Sequence, residues 1–170
     1  MVDTLSKNRR SWNMSRVRGK DTKPELIVRS VLHRIGFRFR LHVNRLPGKP
    51  DIVLQKYRTV VFVHGCFWHR HKRCPDASVP KSRTDFWIQK FTGNVERDRS
   101  NRTALRRSGW KVIVVWECEA TKKEKLAARL CREIKNPRKT FPAHPIDSLE
   151  RSVSQSARQQ FNFNNYTIPA

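Results

Sequence analysis

Leu26, Ile27, Val31, Leu32 and Ile35 recur at helical spacing and make one apolar face between Asp21 and Gly36. Thr22 and Glu25 have capping-box spacing, Pro24 falls in the first turn, and Gly36 can close the far end. The stretch is predicted to be a helix. FRFRLH (37–42) then alternates as a half-buried strand does, and LPGKP is a turn. DIVLQ (51–55) and TVVFVH (59–64) read as two strands of a hairpin, joined by Lys56, Tyr57 and Arg58. Residues 65 to 83 are irregular. One helix is expected over TDFWIQKF and another over NVERDRSNRTALRRS, ended by Gly109. WKVIVVWE (110–117) is almost continuously apolar, which predicts a buried central strand. A last helix is expected at TKKEKLAARLCREIK, with capping-box spacing at Thr121 and Glu124. The order of helix, three strands, helices, strand and helix predicts an α/β fold, a mixed β-sheet flanked by helices.

Composition adds the appendages and the partner. Residues 1–20 hold six Lys/Arg against one acid and show no apolar period, so they read as a basic N-terminal arm. Residues 21–136 form the expected domain, and 137–170, rich in Pro, Ser, Gln and Asn, a poorly ordered C-terminal tail. The 170 residues carry 37 Lys/Arg against 14 acids, a net charge of +23. Solubility alone needs a net charge of only about 2–8, so the excess points to a polyanion, DNA or RNA. No secretory h-region and no bilayer-spanning apolar run is visible, which leads us to expect a cytoplasmic protein with no membrane partner. In that compartment thiols stay reduced, and clustered cysteine and histidine mean metal more often than disulfides.

VFVHGCFWHRHKRC (61–74) places three histidines and two cysteines within eleven residues. Cys66, His71 and Cys74 are a local triple of soft ligands, and a tetrahedral zinc site needs a fourth. Cys131 shares a helical stripe with Ala127, Leu130 and Ile134 and is expected in the core. Cys118 follows the long apolar strand, where the chain leaves the sheet, and is the fourth ligand we expect. The competing reading is four unrelated buried cysteines. His64 and His69 remain for another role. With a two-residue turn in the hairpin, Asp51 faces Phe62, and His64 lies diagonally on the same face, within reach of Asp51. A one-residue slip would put the two on opposite faces. In the helix over 94–108, Val95, Asp98, Arg102 and Leu105 share a stripe, which turns Asp98 inward; an Asp98–Arg102 ion pair is the plainer account.

Pro50-Asp51, ten residues, then Phe62-Val63-His64 has the layout of the PD-(D/E)xK nuclease core, with Phe62 and His64 where the acid and lysine usually stand. Together with HGCFWH and VVWEC, this resembles the very short patch repair (Vsr) mismatch endonucleases. The resemblance runs from Asn13 to Cys118 through NMSRVRGKDTKPE, LPGKPDIV, VFVHGCFWHRH, NVERDR and GWKVIVVWECE. It implies a restriction-endonuclease-like fold with a structural Zn²⁺. It implies nicking of one strand of duplex DNA 5′ to the thymine of a T·G mismatch, the product of 5-methylcytosine deamination. It implies catalytic Mg²⁺ held by Asp51 and the main-chain carbonyl of Val63. His64, His69 and Asp98 match the remaining active-site residues. Glu25 matches an acid that touches the metal cluster through water, although its capping position is a sufficient reason for it. Phe67, Trp68, Trp87 and Met14 match residues that wedge into the base stack; plain core packing is the alternative for Phe67 and Trp68. His71 and Cys74 are separated by two residues where some family members have one. A bacterial, nucleoid-associated monomer, functionally linked to a cytosine-5 DNA methyltransferase, completes the expectation. Its rivals are a zinc-stabilised DNA-binding module without catalysis and a restriction-type enzyme cutting matched DNA.

Overall fold

The computed structural model describes residues 6, 8, 9, 12, 15, 16 and 19–136. Most of the basic arm, with Met14, and the whole 137–170 tail lie outside the described residues. Helix α1 spans Lys23–Arg34, strand β1 Ile52–Leu54, and strand β2 Thr59–His64. Helix α2 covers Thr84–Arg107, strand β3 Lys111–Trp116, and helices α3 and α4 Glu117–Ala120 and Lys123–Lys135. Among these residues no helix is long and apolar enough to cross a membrane.

The face that α1 buries is carried by Val28, Val31 and Leu32; Leu26, expected there, is 52% exposed. At 100° per residue Leu26 lies about 200° from Val28. Glu25, in contrast, sits on the line of Val28 and Leu32 and goes inside with them. The expected capping box is not formed. The Thr22 hydroxyl donates to the Glu25 carboxylate at 2.7 Å, and the Asp21 N–H donates to it at 3.0 Å.

The sheet has the order β1-β2-β3, with β1 and β2 antiparallel and β2 and β3 parallel. Ile52 pairs with Val61 and Leu54 with Thr59, so Gln55 stands opposite Arg58 and Asp51 opposite Phe62. This is the two-residue register. The turn is a 3₁₀ segment, Gln55–Tyr57, closed by Arg58 in the left-handed region (φ 45°). The strand predicted over 37–42 reduces to one bridge, Arg40 with Val53. His42 takes a positive φ of 54°, which ends the extended run.

Two further expectations change. β3 is at the edge of this sheet, and β2 is central. β3 reads as apolar because both faces are covered. Ile113 and Val115 join Ile52, Leu54 and Val61 in the core under α1 and α4. Val112 and Val114 pack with Val53, Val60, Phe62 and Leu105 on the other side. The two helices expected between 84 and 108 are a single 24-residue helix running through Gly93. A lone glycine in a helix costs only about 1 kcal/mol against alanine, and Phe91 and Leu105, buried on either side of it, anchor one continuous face. At the last helix, Thr121 does not cap α4; its hydroxyl donates to the Cys118 carbonyl at 2.9 Å. Leu126, Leu130 and Ile134 bury the inner face of α4, while Cys131 is only half-buried rather than a core thiol.

Candidate active site and metal centre

The end of β2, the loop after it and the middle of α2 meet at a cavity of about 1050 Å³. Its walls include Glu25, Asp51, His64, Trp68, His69 and Asp98. Asp51 stands just before β1, and its Oδ2 accepts the Val63 N–H at 2.7 Å. The preceding turn is held close to α2: Gly48 has φ +73°, and a Cβ there would meet the Asn101 side chain at 2.8 Å. Only glycine fits both constraints.

Asp98 is turned toward this cavity because it lies seven residues from both Phe91 and Leu105, the buried positions of α2. Its Oδ2 is 2.5 Å from His69 Nδ1 and 3.9 Å from His64 Nδ1. The two imidazoles stack with centroids 3.9 Å apart and planes at 13°. The plainer account, an Asp98–Arg102 carboxylate pair, gives way to a bond from Arg102 Nε to the Asp98 carbonyl. His64, His69 and Asp98 therefore converge, and Asp51 lines the same cavity.

Burial shapes the charges here. It pushes the Asp51 carboxyl up to about 6, helped by nearby Glu25 and opposed by the Val63 hydrogen bond and Arg29. Burial, with His69 next to it, pushes His64 down to about 4, against the pull of Asp98. His64 is thus neutral at pH 7. Burial raises Asp98, but the hydrogen bond to His69 and the neighbouring His64, His69 and Arg102 charges outweigh it, leaving the carboxyl below its usual range. With Asp98 ionised, the His69 proton belongs on Nδ1, leaving Nε2 as a lone-pair base.

The second cluster lies on the other side of the loop. One ligand atom each of Cys66, His71, Cys74 and Cys118 gathers within 4.8 Å. His71 Nδ1 is 3.5 Å from Cys66 Sγ and 3.4 Å from Cys118 Sγ. Ideal tetrahedral zinc would separate a thiolate sulfur and an imidazole nitrogen by about 3.6 Å, so the donor set and its spacing fit that metal. Burial pushes the Cys66 thiol up to about 12, and Cys118 upward too. A bound cation reverses that balance by stabilising thiolates. The two-residue spacing between His71 and Cys74 closes as a turn, with Arg73 at φ 59° and the Cys74 N–H on the His71 carbonyl. Cys131 is not in the cluster.

Between the two centres the loop carries Phe67 and Trp68. Both are half-buried and pack edge-on (5.1 Å), and Phe67 also packs on Trp87 (5.3 Å) and Phe91 (5.0 Å). Trp87 is half-buried as well, while its neighbours Phe86 and Ile88 are exposed (46% and 51%).

Three residues escaped the sequence reading. Arg29 ties Glu25 to Asp21, with the i,i+4 spacing from Glu25 as its sequence signal. Glu117 accepts the Cys66 N–H at 3.3 Å, and Trp116 stacks on His71 at 4.2 Å. Both sit in the VVWEC stretch that also supplies Cys118.

The family profile described as DNA mismatch endonuclease Vsr matches residues 2–76. The Type II nicking enzyme V.NmeAIP of Neisseria meningitidis (serogroup A) is 52% identical over 140 residues, covering 80% of this chain and 99% of that protein. V.XorIIP, a Type II nicking enzyme of Xanthomonas oryzae pv. oryzae, is 52% identical over 137 residues, 81% of this chain and 99% of its own. The DNA mismatch endonuclease Vsr of Escherichia coli K12 is 45% identical over 126 residues, 74% of this chain and 80% of that protein.

Proposed function

The chain belongs to the Vsr family of nicking endonucleases, and from that premise we propose that it nicks one strand of duplex DNA 5′ to the thymine of a T·G mismatch. The observation that carries the reading is the His69–Asp98 pair, with His69 stacked on His64, in the cavity that Asp51 also lines. A carboxylate-oriented imidazole beside an acid suits hydrolysis of a phosphodiester far better than passive binding.

Asp51 and the Val63 carbonyl would hold Mg²⁺, and the carboxyls of Asp51 and Glu25, both lining the cavity, fit a hard divalent cation. Bound there, the metal would supply Lewis-acid stabilisation of charge on the phosphate. His69 Nε2 takes the proton of the attacking water. Asp98 holds the ring in that tautomer and stabilises the imidazolium that forms. His64, neutral at working pH, contacts the phosphate or the leaving oxygen by a hydrogen bond rather than as a charge.

The Cys66, His71, Cys74 and Cys118 cluster would hold one structural zinc, fixing the loop that bears His69, Phe67 and Trp68. Those aromatics, with Trp87 and Met14, would wedge into the base stack. Unstacking costs about a few kcal/mol per step and least at a mismatch, which favours T·G over matched duplex. The chain acts as a cytoplasmic monomer, since one site cuts one strand, and serves genomes carrying a cytosine-5 methyltransferase. The relatives' description as nicking enzymes supports single-strand cutting over a restriction-type double cut.

The test is digestion of T·G and matched duplexes with and without Mg²⁺. A Mg²⁺-dependent nick restricted to the T·G duplex is expected. Equal cutting of matched duplex, or cutting of both strands, would reject the assignment.

A further inference from the structure

We propose that Arg29 is a positioning residue that fixes the Glu25 carboxylate at the catalytic cavity by clamping it against Asp21. Arg29 lies one helical turn beyond Glu25 in α1. Its Nη2 is 3.0 Å from Glu25 Oε2, and its Nη1 is 2.5 Å from Asp21 Oδ1. The Arg29 and Glu25 side chains are only 11% and 7% exposed. Among the described residues, Arg29 Nε is the buried side-chain nitrogen or oxygen left without a hydrogen-bond partner. A guanidinium buried with one donor unpaired is an unfavourable way to fill a helix face that Val28 and Leu32 already cover. What the arrangement secures is the acid. Glu25 receives the Asp21 N–H and Arg29 on one oxygen and the Thr22 hydroxyl on the other, so its orientation is set from three sides. Asp21 holds a left-handed backbone (φ 54°) while it donates this N–H and accepts Arg29 Nη1, the other arm of the fork going to Glu25. Arg29, Asp21, Glu25 and Asp51 all line the one cavity.

The inference rests on the reading of Asp51 as a divalent-cation site, with Glu25 serving it from the wall. Two physical effects of Arg29 oppose each other. Its positive charge repels a cation at Asp51, whereas its fork holds Glu25 in position to serve that cation. Lysine keeps the charge but cannot span two carboxylates with a planar fork. A clamp therefore predicts that Arg29→Lys weakens cation binding, and charge alone predicts no change. Arg29→Met sharpens the contrast, because charge alone predicts tighter binding and a clamp predicts weaker.

The experiment titrates Mn²⁺ into the zinc-loaded full chain by calorimetry, without DNA, for the parent, Arg29→Lys, Arg29→Met and Asp51→Asn. Zinc content reports that each variant is folded, and Arg29→Lys decides if Arg29→Met does not fold. The expected result is about a tenfold weaker Mn²⁺ affinity for Arg29→Lys, the low end of what losing an outer-shell partner costs a metal site. Its kcat for nicking should fall while its KM for DNA holds. Unchanged or tighter Mn²⁺ binding by Arg29→Lys, with only a lower melting temperature, would overturn the proposal and leave Arg29 as a staple of the helix start. If the parent binds Mn²⁺ no better than Asp51→Asn, the cation-site reading itself is wrong and this inference goes with it.

Discussion

Replacing Asp51 by asparagine should abolish nicking and at the same time make the Mg²⁺-free protein more stable at neutral pH. The carboxyl is pushed from 3.8 up to about 6, chiefly by burial. A folded-state pKa raised above the unfolded one means that the folded protein binds the proton more tightly. Stability therefore falls as pH rises from about 4 to about 6, and the loss is complete above that window. At about 1.36 kcal/mol for each tenfold change in proton affinity, the rise amounts to about 3 kcal/mol. Asparagine can still accept the Val63 N–H without carrying the charge, so it escapes that cost. His64 titrates in the same range with the opposite sign. Its pKa falls from 6.5 to about 4, so its contribution is present above 6.5 and is lost as pH drops. Only the difference between parent and variant isolates Asp51. The assay is urea unfolding of both zinc-loaded proteins between pH 4 and 8, with Mg²⁺ absent. The stability advantage of Asp51→Asn should grow by about 2.5 kcal/mol across the range, because the unfolded carboxyl is already partly ionised at pH 4. An advantage that stays flat or shrinks with pH would refute the claim that a desolvated, ionised Asp51 is held at this site for function at the cost of stability.

Asp98→Asn should lower kcat by at least about two orders of magnitude, the range typical of general-base catalysis, with DNA affinity near that of the parent; near-normal nicking would remove the His69–Asp98 pair from the mechanism. Cys118→Ser should lose zinc and several kcal/mol of stability, on the scale of structural metal sites, while Cys131→Ser keeps the metal; elemental analysis of both decides. Truncating Phe67 and Trp68 together to alanine should cut T·G nicking by about one to two orders of magnitude, the worth of about 1–3 kcal/mol per stacked base, and leave phosphate-driven non-specific binding nearly intact. A folded double variant that keeps its T·G preference would return both residues to a packing role. Deleting residues 1–20 should flatten the salt dependence of DNA binding by about 0.9 in log–log slope per lost phosphate contact, whereas deleting residues beyond 137 should leave specific activity unchanged; titrations at several salt concentrations and a nicking assay test the two.

What the sequence determined was whatever depends on local period and on ligand type. α1, the hairpin strands, β3 and α4 are legible because apolar spacing of 3.6 or 2 is a property of neighbouring residues. The cluster of Cys66, His71, Cys74 and Cys118 was readable from three neighbouring ligands and one cysteine at a strand end. His64, His69 and Asp51 were readable from a motif. The tertiary structure decided what depends on partners distant in the chain. β3 looked central because both its faces are apolar, but strand order is set by which edges pair, and no single strand encodes that. The hairpin offered two registers, and packing of alternate residues into two separate cores selected the one that brings Asp51 opposite Phe62. Leu26 turned outward and Glu25 inward because the rest of the fold chose which stripe of α1 to cover. Asp98 met His69 across 29 positions of sequence because Phe91 and Leu105 fixed the rotation of α2. A side chain's chemistry is local, but its direction is set by the burial of its neighbours, and that burial exists only once the chain has packed.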